Sequence, residues 1–256
     1  MKFRTFAVAV LAAGSCFAAS PFDGTWVLNP ARSVFTGDTF TYQATPGGGI
    51  HFSNGSTAEF DFTLDGKPCA TPWGNQVTWT RAGENAWNRE WTFGGKVIQK
   101  GLTSVSGDGR LLSSSYTEFR PDGSKVESSE VYERVSGGPG LPGKWKNVKS
   151  VPSTATLIVA VPAPGRIRFE MPEYQMTEEG PTDGTAIPVM GPTVAKGTTD
   201  AWRVVDAGTF SFESRMGGKV MTLGTLGLAA DGKSLTFTFW VPGKEDEKAT
   251  AVYERK

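Results

Sequence analysis

The chain has 256 residues, with 26 basic against 26 acidic side chains, one His and two Cys. That length allows one or two domains with a core in each. The charge balance offers nothing to nucleic acid, and so few His and Cys exclude a transition-metal site built from them. Together, 32 Gly, 16 Pro, 8 Trp and 16 Phe describe a turn-rich folded protein rather than a disordered one.

In chain order, the first predicted element is an export leader over residues 1–19. Met1-Lys2-Phe3-Arg4 is a basic start, Phe6 to Ala13 an apolar run, and Gly14, Ser15, Ala18 and Ala19 are the small residues that precede cleavage. Cleavage near Ala18 or Ala19 would release a soluble protein into the periplasm or the medium. In the alternative, Ala13-Gly14-Ser15-Cys16 serves as a loose lipobox and acylated Cys16 anchors the chain. The soluble form is preferred, because Leu is absent three positions before Cys16. No later run approaches about 18 uninterrupted apolar residues, so the mature chain is expected to have no transmembrane helix. Loss of Lys2 and Arg4 with the leader leaves it slightly acidic, and Cys69 becomes its single thiol.

The remainder reads as one unit written twice. Gly24-Thr25-Trp26 recurs as Gly143-Lys144-Trp145, and Val131-Tyr132-Glu133-Arg134 as Val252-Tyr253-Glu254-Arg255. Between those ends, Trp79, Gly94-Gly95-Lys96-Val97 and Asp108-Gly109 recur after a constant offset as Trp202, Gly217-Gly218-Lys219-Val220 and Asp231-Gly232. The copies span 20–135 and 143–256, joined by a Gly/Pro-rich linker at 136–142. Within each copy the apolar period is two. Trp87, Arg89, Trp91 and Phe93 alternate with polar residues, as do Phe60 and Phe62, Phe210 and Phe212, and Phe237 and Phe239. Asp-Gly and Gly-Gly pairs mark the turns. Eight or so short antiparallel strands per copy predict an all-β protein of two tandem barrels, or failing that sandwiches.

The motif Gly24-Thr25-Trp26-x-Leu28-Asn29-x-Ala31-x-Ser33-x-Phe35, the closing Val131-Tyr132-Glu133-Arg134 and the inner turns resemble bacterial secreted lipocalin-like proteins, with two copies covering the mature chain. The resemblance implies a barrel in which the Trp of Gly-x-Trp is stacked by a late-strand Arg. It would pair Trp26 with Arg134 and Trp145 with Arg255. It leaves the function open, since that fold hosts both carriers and enzymes.

Candidate chemistry concentrates in the first copy. Where the second copy has Phe210, Phe212, Phe237 and Phe239 on the inward face, the first has Trp87, Arg89, Ser114 and Tyr116, and Glu118 continues that face. An Arg between tryptophans on an apolar face needs a partner. Two partners compete: an anionic head group on a ligand whose apolar part is lined by Trp87, Trp91 and Phe93, or Glu118. A third possibility is that the face is turned outward. The expected function is therefore binding of a small hydrophobic or amphipathic ligand. The alternatives are an enzyme using Arg89, Tyr116 and Glu118, or an envelope or carbohydrate-associated module presenting its tryptophans.

The other features read as structural. His51 and Cys69 have no catalytic spacing, and the acidic residues Glu170, Glu173, Glu178, Glu179 and Asp183 suggest a solvated loop rather than a calcium site. No phosphate-binding loop or nucleophile elbow is present, so no cofactor and no metal are implied.

Overall fold

The computed structural model describes residues 19–256; residues 1–18, including Cys16 and most of the expected leader, lie outside it. The expected all-β architecture is found, as two near-closed antiparallel barrels with ten strands in each sheet. Among the described residues, helix is limited to two 3₁₀ turns, Pro30–Arg32 and Pro172–Tyr174.

The first half of the chain forms β1 (Gly24–Leu28), β2 (Thr39–Ala44), β3 (Ile50–Ser53), β4 (Glu59–Phe62), β5 (Cys69–Ala70), β6 (Gln76–Gly83), β7 (Ala86–Phe93), β8 (Lys96–Val105), β9 (Leu111–Phe119) and β10 (Lys125–Ser136). The second forms β11 (Gly143–Val151), β12 (Thr156–Ala160), β13 (Arg166–Met171), β14 (Met176–Pro181), β15 (Asp183–Pro188), β16 (Thr198–Asp206), β17 (Thr209–Met216), β18 (Lys219–Leu228), β19 (Ser234–Trp240) and β20 (Ala249–Arg255).

The copies in sequence are not the barrels in space. One sheet contains β2 to β11, and the other contains β12 to β20 with β1 inserted between β12 and β20. The Gly-x-Trp strands are therefore exchanged. β1 pairs Trp26 with Arg255 and Leu157, while β11 pairs Trp145 with Arg134 and Phe40. The expected Trp26–Arg134 and Trp145–Arg255 pairs are corrected accordingly. Arg255 stacks on Trp26 and Arg134 on Trp145, each with its guanidinium carbon 4.1 Å from the ring centre. The cause is connection length. The linker between β10 and β11 is so short that the two pair as sequence neighbours. The place beside β20 is thereby left to β1.

Both barrel ends are sealed in the same way. Arg134 donates to the carbonyls of Gly140 and Pro142 while Trp145 Nε1 donates to Leu141. Arg255 donates to Pro21 and Asp23 while Trp26 Nε1 donates to Phe22. A side chain at Gly143 would strike the Arg134 guanidinium, so the glycine of the motif makes room for the stacked Arg.

The sheets close nearly completely. Thr177 and Met190 exchange two backbone hydrogen bonds across the edges of one barrel, and in the other Gly66 N–H, in the link from β4 to β5, donates to the Trp79 carbonyl on β6. The acidic segment expected as a loop is instead the β13–β14 strand pair. Its outward acids meet arginines, Glu170 with Arg168 and Glu179 with Arg166, while Glu178 turns into the core.

The seam between barrels carries several polar contacts. Arg120, almost wholly buried, donates to Ser153 Oγ and the Thr154 carbonyl and stacks on Tyr174. Lys244 and Glu247 both grip Thr39 at the start of β2.

Candidate functional site

The two cores differ at equivalent positions, and that difference builds the site. In the barrel containing β12 to β20, Phe212 stacks between Trp202 (5.1 Å) and Phe237 (4.6 Å). The equivalents in the other barrel are Arg89, Trp79 and Ser114. Replacing a ring by the Ser114 hydroxyl, which is hydrogen-bonded to Thr103 at 2.8 Å, vacates volume. A cavity of about 230 Å³ occupies it, lined by Ser114, Arg89 and the rings of Phe40, Tyr42, Trp73, Trp79 and Trp91. The face assignment is thus inward.

Arg89 stands at the mouth of this cavity. Its guanidinium carbon lies 5.7 Å from Trp79, 6.0 Å from Trp91 and 5.7 Å from Tyr116, a three-sided aromatic cage. Among the described residues it makes no ion pair, and its buried Nε has no hydrogen-bond partner. Glu118, the internal partner considered from the sequence, is engaged elsewhere. It accepts from Arg120 Nε at 3.4 Å and from the Tyr174 hydroxyl at 3.2 Å.

Gly101 makes the cage possible. It lies opposite Arg89 on one side and Tyr116 on the other, and a Cβ there would come within 2.6 Å of Tyr116 Cβ. Gly101→Ala is expected to destabilise the protein by about 1–3 kcal/mol through overpacking, measurable as a lower urea midpoint.

From Arg89 the cavity opens into a recess of about 370 Å³ that also reaches Trp91, Tyr116, Glu118, Glu130 and, from the other barrel, Tyr174 and Thr193. A third recess, of about 440 Å³, lies along the seam between Phe35, Asp38, Tyr116 and Glu130 on one side and Phe239 and Trp240 on the other. Glu130 borders all three. Its carboxylate accepts from the Tyr132 hydroxyl at 2.8 Å and the Tyr116 hydroxyl at 3.4 Å. Burial, reinforced by Glu130, pushes the Tyr116 phenol up to about 12, so it remains a donor at neutral pH.

No family model matches the chain, and no curated protein or solved structure matches it. The site therefore rests on its own geometry.

Of the six residues expected to line a ligand pocket, Arg89, Trp91, Tyr116 and Glu118 converge on one recess. Trp87 packs into the core instead, 4% exposed, because its position on β7 lies deeper in the barrel. Phe93 follows a bulge and comes beside Gly74, outside the recess lining. Sequence reasoning missed Trp79, Glu130 and Asp38. Trp79 figures in the sequence as a repeat landmark and as one of the tryptophans of a possible carbohydrate platform, not as a wall of the ligand pocket. Glu130 shares its face with Val126, Ser128 and Tyr132, whereas Val131 on the opposite face obscures the alternation.

His51 pairs with Asp61 across β3 and β4 at 2.7 Å, and Cys69 Sγ contacts the Lys67 carbonyl, so these two form no thiol–imidazole pair. No cluster of three or more potential metal ligands occurs among the described residues.

Proposed function

We propose that the protein binds a small, partly apolar ligand with an anionic group, held by Arg89 in the barrel formed by β2 to β11. The observation that carries this reading is the Arg89 guanidinium, caged by aromatic rings, unpaired and facing a cavity. The guanidinium is half-buried with its Nε enclosed and without an acceptor, and a carboxylate or similar group supplies the missing partner. The ring-lined cavity suits the ligand's apolar part, and the recess outside it falls within the about 300–1,000 Å³ of ordinary small-molecule sites. Membership of a lipocalin-like family and export under the leader at 1–19, soluble or anchored through Cys16, belong to the same proposal and rest on the sequence.

The enzyme alternative gains little from the site, since Glu118 is tied to Arg120 and Tyr174. The carbohydrate-platform alternative is weakened by the burial of Trp79 and Trp87.

The test is tryptophan quenching across fatty and aromatic carboxylates and their uncharged amides. Arg89→Ala is expected to weaken the carboxylates by about ten- to hundredfold while largely sparing the amides. Absence of quenching by every compound, or equal affinities in both proteins, would overturn the proposal.

A further inference from the structure

Arg89 is not the only charge in the recess without a counter-ion among the described residues. Glu130 borders the same space and, among the described residues, makes no ion pair. Its oxygens are held in place by the Tyr116 and Tyr132 hydroxyls. Both phenols are pushed up by burial and by Glu130 itself, so both act as donors and Glu130 is presented as an acceptor. The wall thus carries a fixed cation and a fixed anion that share a cavity without pairing with each other.

Asp38 adds to the anionic side. It borders the inner cavity and the seam recess together with Glu130, whose charge helps raise the Asp38 carboxyl to about 6 after the larger effect of its enclosure. Lys244, the cation nearest in effect, is committed to Glu247 and Thr39. A ligand bearing only a carboxylate would satisfy Arg89 yet bring its charge towards Glu130. A ligand that also carries an ammonium group close to the carboxylate would meet both walls.

On the basis of the proposed Arg89 site, we infer that the preferred ligand is zwitterionic and amphipathic, of the α-amino-acid class with an apolar or aromatic side chain, its carboxylate on Arg89 and its ammonium on Glu130. Glu130 is then the residue that determines specificity between amino acids and simple acids. The ring-lined cavity beyond Arg89 receives the side chain.

A matched pair of probes tests this by titration calorimetry on the full chain: phenylalanine, and 3-phenylpropionate, which lacks only the ammonium group. Phenylalanine is expected to bind about tenfold tighter, the ratio given by one added charge-assisted hydrogen bond. Glu130→Gln, nearly isosteric, is expected to bring the two within about twofold of each other by weakening phenylalanine. Arg89→Ala is expected to weaken both. Equal or tighter binding of 3-phenylpropionate by the unmodified protein overturns the zwitterion inference and leaves the Arg89 site standing; that comparison needs no variant to fold. If neither probe binds, the zwitterion inference falls and the wider carboxylate panel decides the Arg89 site; if Arg89→Ala leaves 3-phenylpropionate binding unchanged, both fall.

Discussion

Trp26→Ala is expected to destabilise the barrel of the opposite copy, the one formed by β12 to β20, by about 3–5 kcal/mol. Trp26 is fully buried in that barrel's core, packed with Leu157, Val159 and Ile167, although it belongs in sequence to the first copy. Its removal leaves a cavity at the closed end and strips Arg255 of its stacking partner, a further loss of about 0.5–2 kcal/mol. It also loosens β1, the strand that bridges β12 and β20. Amide hydrogen exchange locates the effect. Protection should fall across β12, β19 and β20 while β2 to β10 keep theirs, and Trp145→Ala should give the mirror result. Loss of protection in β2 to β10 on replacing Trp26 would mean that the strands are not exchanged.

The second large effect is a pH dependence located in the other barrel. Glu178 and Asp200 lie side by side in its core. The two carboxyls face one another, and Trp202 Nε1 donates to Glu178 Oε1 at 3.2 Å. Burial first, and the Asp200 charge second, push Glu178 far above the usual carboxylate range, so it holds the proton that the pair shares. The otherwise unpartnered Glu178 Oε2 and Asp200 Oδ1 are accounted for by such a proton.

The linkage has a definite sign. Between the ordinary Glu value of 4.5 and its folded value of about 8, the folded chain binds a proton that the unfolded chain has released, so stability falls as pH rises through that window. The slope reaches about 1.4 kcal/mol per pH unit for one proton, so the protein is expected to be less stable at pH 8 than at pH 5. Glu178→Gln keeps a donor for Asp200 and an acceptor for Trp202 without the titration, and should remove most of that fall. Asp38, raised in the same direction, accounts for a residual slope. Urea unfolding at pH 5 and pH 8 measures it. A wild-type midpoint that rises over the window would contradict the shared proton.

The strands and the barrels were legible because a half-buried strand writes its burial every second residue, and because both copies carry the same landmarks. The exchange was not. Gly24-Thr25-Trp26 and Gly143-Lys144-Trp145 are locally equivalent, and each Trp would fit beneath either Arg134 or Arg255. Alternation records which face is buried, not which neighbour a strand takes. The deciding quantity is the length of the 136–142 connection, which makes β10 and β11 partners in one sheet.

At the site, Arg89 was legible as a polar residue breaking an apolar period, and Tyr116 as the replacement for a phenylalanine. Glu118, one of the two partners weighed for Arg89, is instead held by Arg120, two residues further along just beyond β9, and by Tyr174 of the other barrel, which its own copy does not contain. The Glu178–Asp200 pair was hidden for a similar reason. Glu178 sits among acids that do face outward on β13 and β14, and only the pairing with Trp202 and Asp200 shows that it turns inward.

The most direct measurement at the proposed binding centre is the NMR signal of the Arg89 Nε–H, assigned by its loss in Arg89→Lys. That proton is buried and without an acceptor in the ligand-free chain, so a carboxylate reaching it should shift the signal saturably downfield as phenylalanine or 3-phenylpropionate is added. A signal that stays unmoved at concentrations where either compound is otherwise seen to bind would contradict the assignment of Arg89 as the anion-holding residue.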